Sequence, residues 1–316
     1  MPASRVEGCE SPAADGPEPI DVTEVRSNRA RTVSADPLLG ARIGRRYRVL
    51  ERIGRGGMGT VYRAEHVLLR AQVAIKVLHT HLADDAELMQ RFVREARAAA
   101  ASCSAHVVRV WDLDQLDDDR WYFVMEYLDG VDLAAWVATR GPLPIESAVA
   151  VGLQICDALR VMHPLGIVHR DLKPENVFAA RSASGPPCVK VLDFGVCKVA
   201  RDRPITGAGM TLGTPQFMSP EQLECGAEVD LRTDIYAVGA LLFYALTGRA
   251  PFRGRSLGEL LYRVCTEPAP PLRSLRPEAP EGLERVLARA LEKQPSARFA
   301  DGAELQRALA AFSGCA

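Results

Sequence analysis

The hydrophobic period of this chain changes at Asp129-Gly130, and that change limits the folds open to it. Before it, YRVLERIG (47–54), TVYRAEH (60–66), AQVAIKVL (71–78), HVVRVWDL (106–113) and RWYFVMEYL (120–128) are short runs rich in Val, Ile and Tyr with turn signals between them. Such runs read as successive antiparallel strands. One helical period interrupts them, at DAELMQRFVREARAAA (85–100). After Gly130 the helical period dominates, in 146–163, 232–247, 256–266, 281–293 and 301–312. Strands first and helices later predict an α+β chain in two lobes: a small antiparallel-sheet lobe with one helix over 47–126, a hinge at 126–131, and a mostly helical lobe over 132–312.

Residues 1–46 carry five prolines and no sustained period, and read as a disordered leader; 313–316 close the chain. Charge in the leader is split. Residues 1–25 hold six acids against one arginine, whereas 26–46 hold six arginines against one aspartate. RSNRARTVS (26–34) places Thr32 and Ser34 after paired arginines, which would suit phosphorylation or docking, although a linker is the simpler reading.

Net charge is −1, which argues against nucleic acid as a partner. The longest apolar run, IYAVGALLFYAL (235–246), is too short to span a bilayer, and no basic segment followed by an apolar one opens the chain. Eight scattered cysteines without a CxxC read as reduced thiols in a cytoplasmic protein.

Four stretches carry chemistry. IGRGGMGTVYRA (53–64) contains a GxGxxG in Gly54, Gly56 and Gly59. A strand follows it, so it is a glycine-rich hairpin and not a dinucleotide fingerprint, and it would lay backbone N–H groups over phosphates or serve as a plain turn. VAIK (73–76) sets Lys76, one of only five lysines beside 34 arginines, among apolar strand neighbours. Its partner would be Glu95 on the following helix, an acid that Arg91 would also suit. HRDLKPEN (169–176) concentrates Asp171, Lys173 and Asn176 in a loop that Pro174 keeps from becoming a helix. An aspartate can accept a hydroxyl proton, a lysine can offset phosphoryl charge, and an asparagine carbonyl can ligate Mg²⁺. VLDFG (191–195) ends an apolar run at Asp193, a carboxylate that suits a hard cation.

Taken in order, these motifs resemble the eukaryotic-type protein kinase family over residues 47–312, with GTPQFMSPE (213–221) where that family has its APE segment. GGMGTVYRA and GTPQFMSPEQ are most similar to the bacterial serine/threonine kinases. The resemblance implies ATP with Mg²⁺, Mn²⁺ being an alternative, and protein substrates with serine or threonine acceptors. It implies that Lys76, held by Glu95, meets the α- and β-phosphates, and that Asp193 and Asn176 hold metal. Asp171 would take the hydroxyl proton and Lys173 would face the γ-phosphoryl. Ile53, Val61, Ala74 and Phe178 would sandwich adenine, with Met125 as gatekeeper and the Glu126 carbonyl and Leu128 amide reading the base edge. His169 would be structural, packing near Phe194. Thr214 would tie Asp171 to Lys173 and mark serine/threonine choice. Arg170 implies activation by phosphorylation of the segment 196–213, at Thr206 before Thr211, with self-association for trans-phosphorylation. Glu221 and Arg298 would form a buried ion pair, and Asp234 would anchor the catalytic loop. Two other readings, an ATP-binding scaffold and a small-molecule phosphotransferase, share parts of this pattern. The first usually lacks a key Lys or Asp, and the second lacks the peptide-docking segment.

Overall fold

In the computed structural model, residues 36–57, 59–80, 86–182, 187–193, 215–224 and 226–314 are described, with the side chains of 86–88, 91 and 95 outside the description. The first lobe is a six-stranded sheet. Its strands are β1 (Arg42–Ile43), β2 (Tyr47–Arg55), β3 (Gly59–His66), β4 (Gln72–Leu78), β5 (Val110–Gln115) and β6 (Trp121–Glu126). They run in the order β1-β2-β3-β4-β6-β5, every neighbouring pair antiparallel. The helix α1 (Ala86–Ala101) packs on one face of this sheet, where Phe92 meets Phe123 with ring centroids 5.0 Å apart.

Period-2 alternation sorts this sheet into two faces. Val73, Ile75, Val77, Tyr122 and Val124 join Ile43, Tyr47, Val49 and Tyr62 in a cluster on the outer face. Leu78, Phe92, Ala96 and Phe123 belong to the main core on the other side. Lys76 therefore points inward, with the cleft. The fold also reaches further back than Tyr47. Asp36 accepts a hydrogen bond from the Tyr62 hydroxyl at 2.8 Å, Leu38 packs on the outer cluster, and Arg42 and Ile43 pair with Arg48 and Tyr47. A polar, proline-bearing sequence hid this segment, because its apolar contribution comes from two side chains, Leu38 and Ile43, too few to set up a period. Residues 1–35, with Thr32 and Ser34, lie outside the described part.

The chain crosses between lobes through residues 127–129, which have no regular secondary structure, into β7 (Gly130–Asp132), which pairs with β8 (Val177–Ala180), itself paired with β9 (Cys188–Val191). A Cβ on Gly130 would sit 2.1 Å from the Ala179 carbonyl, so this crossing admits no side chain. The helices are α2 (Leu133–Arg140), α3 (Ile145–Met162), α4 (Pro220–Leu223), α5 (Arg232–Thr247), α6 (Leu257–Thr266), α7 (Glu281–Ala290) and α8 (Gly302–Ala310). Sequence pattern anticipates α3 and α5 to α8. It misses α2, eight residues capped by the Asp132 side chain on the Ala135 amide and stopped at Gly141. α5 is buried on nearly all sides, which explains why its run looks membrane-like without being a span. No helix among the described residues is long and apolar enough to cross a membrane.

The expected ion pair is present. Arg298 donates to both Glu221 oxygens at 2.7 and 2.8 Å. Its three remaining N–H groups go to the carbonyls of Glu292, Arg232 and Lys293. The Thr233 hydroxyl also donates to Glu221. Burial, the largest single influence, would raise the Glu221 carboxyl, but the Arg298 guanidinium, the Thr233 hydroxyl and a backbone hydrogen bond together hold the group below its ordinary value. A carboxylate so depressed stabilises the fold above the ordinary glutamate range and loses that contribution as pH falls through its folded value. Arg298→Met, which strands Glu221, should cost about 3–5 kcal/mol in denaturant unfolding at neutral pH. The stability gap between wild type and Glu221→Gln should be widest above about pH 5 and close as the solution is acidified. A gap independent of pH would contradict this assignment.

Candidate active site

Strand register builds the upper wall of the cleft. Val61, Lys76 and Phe123 are direct cross-strand partners, as are Ala74 and Met125 one pleat along. Cross-strand partners share a face, so Val61, Ala74, Lys76 and Met125 line one inward surface. Gly54 pairs with Val61 beside a register shift that includes Ile53. The glycine turn closes with Gly56 N–H donating to the Gly59 carbonyl at 2.9 Å. A Cβ on Gly59 would lie 2.4 Å from the Val77 carbonyl, so the hairpin lies closer to β4 than any other residue permits.

The lower wall is the loop after α3. Pro174 starts a single 3₁₀ turn, Pro174–Asn176, that hands the chain to β8 and Phe178. Within the loop, Lys173 Nζ lies 2.8 Å from Asp171 Oδ2, and Asn176 Nδ2 donates to the Asp171 carbonyl at 2.8 Å and to its Oδ2 at 3.3 Å. Both side-chain donors thus gather on Asp171 Oδ2. The strand expected to run to Asp193 stops at Val191, and Asp193 itself adopts φ 53°. That left-handed turn is rare for a non-glycine residue. It brings the Asp193 carboxylate to 2.6 Å from Lys76 Nζ, an ammonium buried among apolar neighbours and 5.7 Å from the Phe123 ring centroid.

The loop is held from below. Asp234, fully buried at the start of α5, accepts from the amides of His169 at 2.8 Å and Arg170 at 2.9 Å, and from His163 Nε2 at 2.9 Å. Arg170 has φ 61°. The Asp171 amide donates to His169 Nδ1 at 3.2 Å, so His169 Nε2 carries the proton and donates to the Leu192 carbonyl at 2.8 Å. Burial holds this imidazole below its ordinary value, and it is neutral at pH 7. His169 is thus a brace between the loop and the strand leading to Asp193, as the sequence led us to expect, not a base.

Glu95's side chain, Phe194, the segment 196–213 with Thr206 and Thr211, and Thr214 lie outside the described residues. Leu128 lies in the connection 127–129 between the two sheets. Glu126 has a use that sequence reasoning missed. Its side chain takes Lys190 Nζ from β9 at 2.6 Å and the Arg109 amide at 2.8 Å, pinning the crossing from both sides. Gln222 was also missed. Its amide donates to the Arg170 carbonyl at 2.7 Å and accepts from the Ser219 amide at 3.1 Å, joining α4 to the catalytic loop. The scarcity of lysine pointed to Lys190, and the S-x-x-Q spacing of Ser219 and Gln222, which form a capping box, was the signal available for Gln222.

A Mg²⁺ ion fits these side chains. Asn176 spends its N–H₂ group on Asp171, leaving a carbonyl oxygen, and Asp193 offers a half-exposed carboxylate. Two hard oxygen donors with phosphates to complete the shell are what Mg²⁺ takes from proteins.

A two-lobed α+β chain with a glycine hairpin, an inward lysine and this aspartate loop has the architecture of a nucleotide-dependent phosphotransferase. The protein kinase domain model matches residues 47–308, and the chain belongs to that family. Serine/threonine-protein kinase Pkn1 of Myxococcus xanthus is 46% identical over 275 residues, covering 87% of this chain and 39% of that protein. PrkC of Bacillus subtilis, also a serine/threonine-protein kinase, is 36% identical over 269 residues, covering 85% and 41%. The chain thus spans well under two thirds of these relatives. Among solved structures, the kinase domain of Mycobacterium tuberculosis PknI superposes with a TM-score of 0.66 at 29% identity, covering 86% of this chain and 98% of that one. Rad53, in complex with AMP-PNP, matches with a TM-score of 0.68 at 25% identity, covering 83% and 64%.

If Asp234 holds the loop, Asp234→Ala strands the amides of His169 and Arg170 at about 1–3 kcal/mol each. Hydrogen exchange at those two amides should rise well above that of α7, which the change does not touch. Equal rates in both regions would mean that the loop is fixed by something else.

Proposed function

We propose that this chain is a serine/threonine protein kinase that transfers the γ-phosphate of ATP to hydroxyls of protein substrates. The observation that carries the reading is the joining of Asp171, Lys173 and Asn176 in one hydrogen-bonded cluster, on a loop braced to the strand that delivers Asp193 to Lys76. Asp171 orients the substrate hydroxyl and accepts its proton as the new O–P bond forms and ADP leaves with the bridging oxygen. Lys173 offsets charge on the phosphoryl group in flight, and Lys76 meets the α- and β-phosphates. Bound Mg²⁺, or Mn²⁺ in its place, neutralises phosphate charge, and Asp193 and Asn176 are the residues to hold it. Val61, Ala74 and Ile53 above and Phe178 below enclose adenine beside Met125, while the Glu126 carbonyl and Leu128 amide meet its edge.

The kinase domain runs over about residues 36–312, in our reading, once the Asp36–Ile43 segment is included. Thr214 selects serine and threonine acceptors, and Thr206 is the preferred activation site, reached in trans by a second copy. We place the protein in the cytoplasm, and the net charge of −1 argues against nucleic-acid partners.

The test is transfer of labelled γ-phosphate from Mg-ATP to the protein itself and to a generic basic protein. Wild type should label serine and threonine, and Asp171→Asn should label about 10²–10⁴-fold more slowly with nucleotide binding retained. Nucleotide binding without transfer by wild type phosphorylated on its activation segment would make the chain a scaffold. Transfer to metabolites alone would make it a small-molecule phosphotransferase.

A further inference from the structure

The loop between α5 and α6 carries an unbalanced charge. RAPFRGRS (249–256) holds three arginines and no acid, in a chain whose net charge is −1. Ala250 and Phe252 are buried, with Lys293 Nζ 3.8 Å from the Phe252 ring centroid, whereas Arg249, Arg253 and Arg255 are exposed. A Cβ on Gly254 would lie 2.5 Å from the Leu260 amide nitrogen, so the turn between the last two arginines rests hard on α6. Elsewhere in this lobe Arg232, Arg263, Arg276, Arg285 and Arg289 each face a carboxylate. The three loop arginines form no ion pair with any described residue. Glu259, the nearest acid along the chain, is taken by the Arg255 amide and the Arg263 guanidinium.

Packing places this loop beside the catalytic loop. The helix α6 lies against α4 and against the 3₁₀ turn Pro215–Phe217, and α4 reaches the Arg170 carbonyl through Gln222. Tyr244, near the end of α5, stands edge-on to Phe217 with ring centroids 5.7 Å apart. Its hydroxyl is governed first by burial and then by the charges of Glu175, Asp132 and Arg253, so Glu175 and Arg253 both border one side chain. Glu175 is exposed beside Asn176 and forms no ion pair with a described residue. The mouth of the site thus presents an anion on the catalytic loop and, across Tyr244, a cationic patch that the described fold leaves without a complement. Complementary charge across an interface sets register and excludes wrong partners.

We propose that Arg253 and Arg255 select protein acceptors that carry an anionic side chain, a carboxylate or a phosphate, on one side of the target hydroxyl. The proposal rests on the reading of the chain as a protein kinase and adds the class of sequence it acts on. The planar guanidinium fork suits either anion, and Arg249 strengthens the local field without having to touch the ligand. Glu175 sets the limit. It repels an acid on the part of the acceptor that crosses the catalytic loop, so the preference is confined to one or two neighbouring positions. Arg253 and Arg255 hold the acceptor and take no part in moving the proton or the phosphoryl group.

Peptides with one serine in a neutral sequence, and with glutamate, phosphoserine or lysine walked through the flanking positions, test this against the full chain with Mg-ATP. At one or two adjacent positions wild type should favour glutamate over lysine in kcat/KM, by about 2–5-fold for each arginine engaged, as exposed ion pairs allow. The preference should lie in KM for the peptide and fade as salt is raised. Phosphoserine preferred over glutamate there would identify phosphate as the anion, and the reverse a carboxylate. Arg253→Glu with Arg255→Glu, both on exposed side chains, should turn the preference at those positions to lysine while KM for ATP and the unfolding midpoint stay as in wild type. Equal labelling of all the peptides by wild type, or a preference for acid that survives the double reversal, overturns the proposal and leaves the kinase reading standing. Failure to label any peptide or protein overturns that reading, and this proposal with it.

Discussion

One buried carboxylate organises the reaction half of this molecule. Asp234 has no exposure to water, and a lone charge in such a place is costly unless hydrogen bonds replace its hydration. The His169 and Arg170 amides and the His163 ring supply them. Because two of the three donors are backbone, the carboxylate dictates the path of the main chain where Arg170 turns left-handed, and a strained φ persists only when its surroundings enforce it. From there the order propagates through short bonds. His169 reaches the Leu192 carbonyl, the Leu192 amide reaches the Asn176 carbonyl, and the Asn176 side chain returns to Asp171. The residues that would handle a proton, a metal and a phosphate thus share one closed network rooted in α5.

The other lobe contributes through register. Lys76 faces the cleft because Val73, Ile75 and Val77 face the opposite cluster, and a slip of one residue would bury the lysine in that cluster. Contacts that relate the lobes include Lys76 to Asp193, Glu126 to Lys190, and Arg94 to the Gly166 carbonyl at 2.9 Å. The first pairs a buried ammonium with a half-exposed carboxylate, each of which has a proposed role toward the same nucleotide. The pairing keeps two charges mutually compensated within the cleft. The Glu221–Arg298 pair is of another kind. All five guanidinium donors are satisfied away from the cleft, so its role is to hold α4, and through Gln222 the Arg170 carbonyl, against the helical core.

Much of this was legible in the sequence because chemistry here is local. HRDLKPEN, VAIK and the aspartate of VLDFG keep their meaning as short strings, and the strand and helix periods assign each string to its lobe. What escaped was held by single contacts between distant segments. Residues 36–43 are folded because Asp36 meets Tyr62 and because Leu38 and Ile43 meet the outer cluster, and no period announces two apolar side chains. The helix α2 is short and depends on its Asp132 cap, a local bond that overrides weak amphipathicity. Gln222 and Lys190 each reach a distant segment through one bond, to the Arg170 carbonyl and to the Glu126 carboxylate, and local spacing does not reveal such long-range partners.

The central claim is that the catalytic loop is set by the protein before any nucleotide arrives. A crystal structure of the full chain with Mg²⁺ and a non-hydrolysable ATP analogue tests it most directly. The account predicts that the backbone of residues 169–176 stays within about 1 Å of its present path, as a pre-organised site should, with adjustment confined to Lys76, Asp193 and the glycine hairpin. A loop that refolds on binding, breaking the bonds from Asp234 to His169 and Arg170, would contradict it.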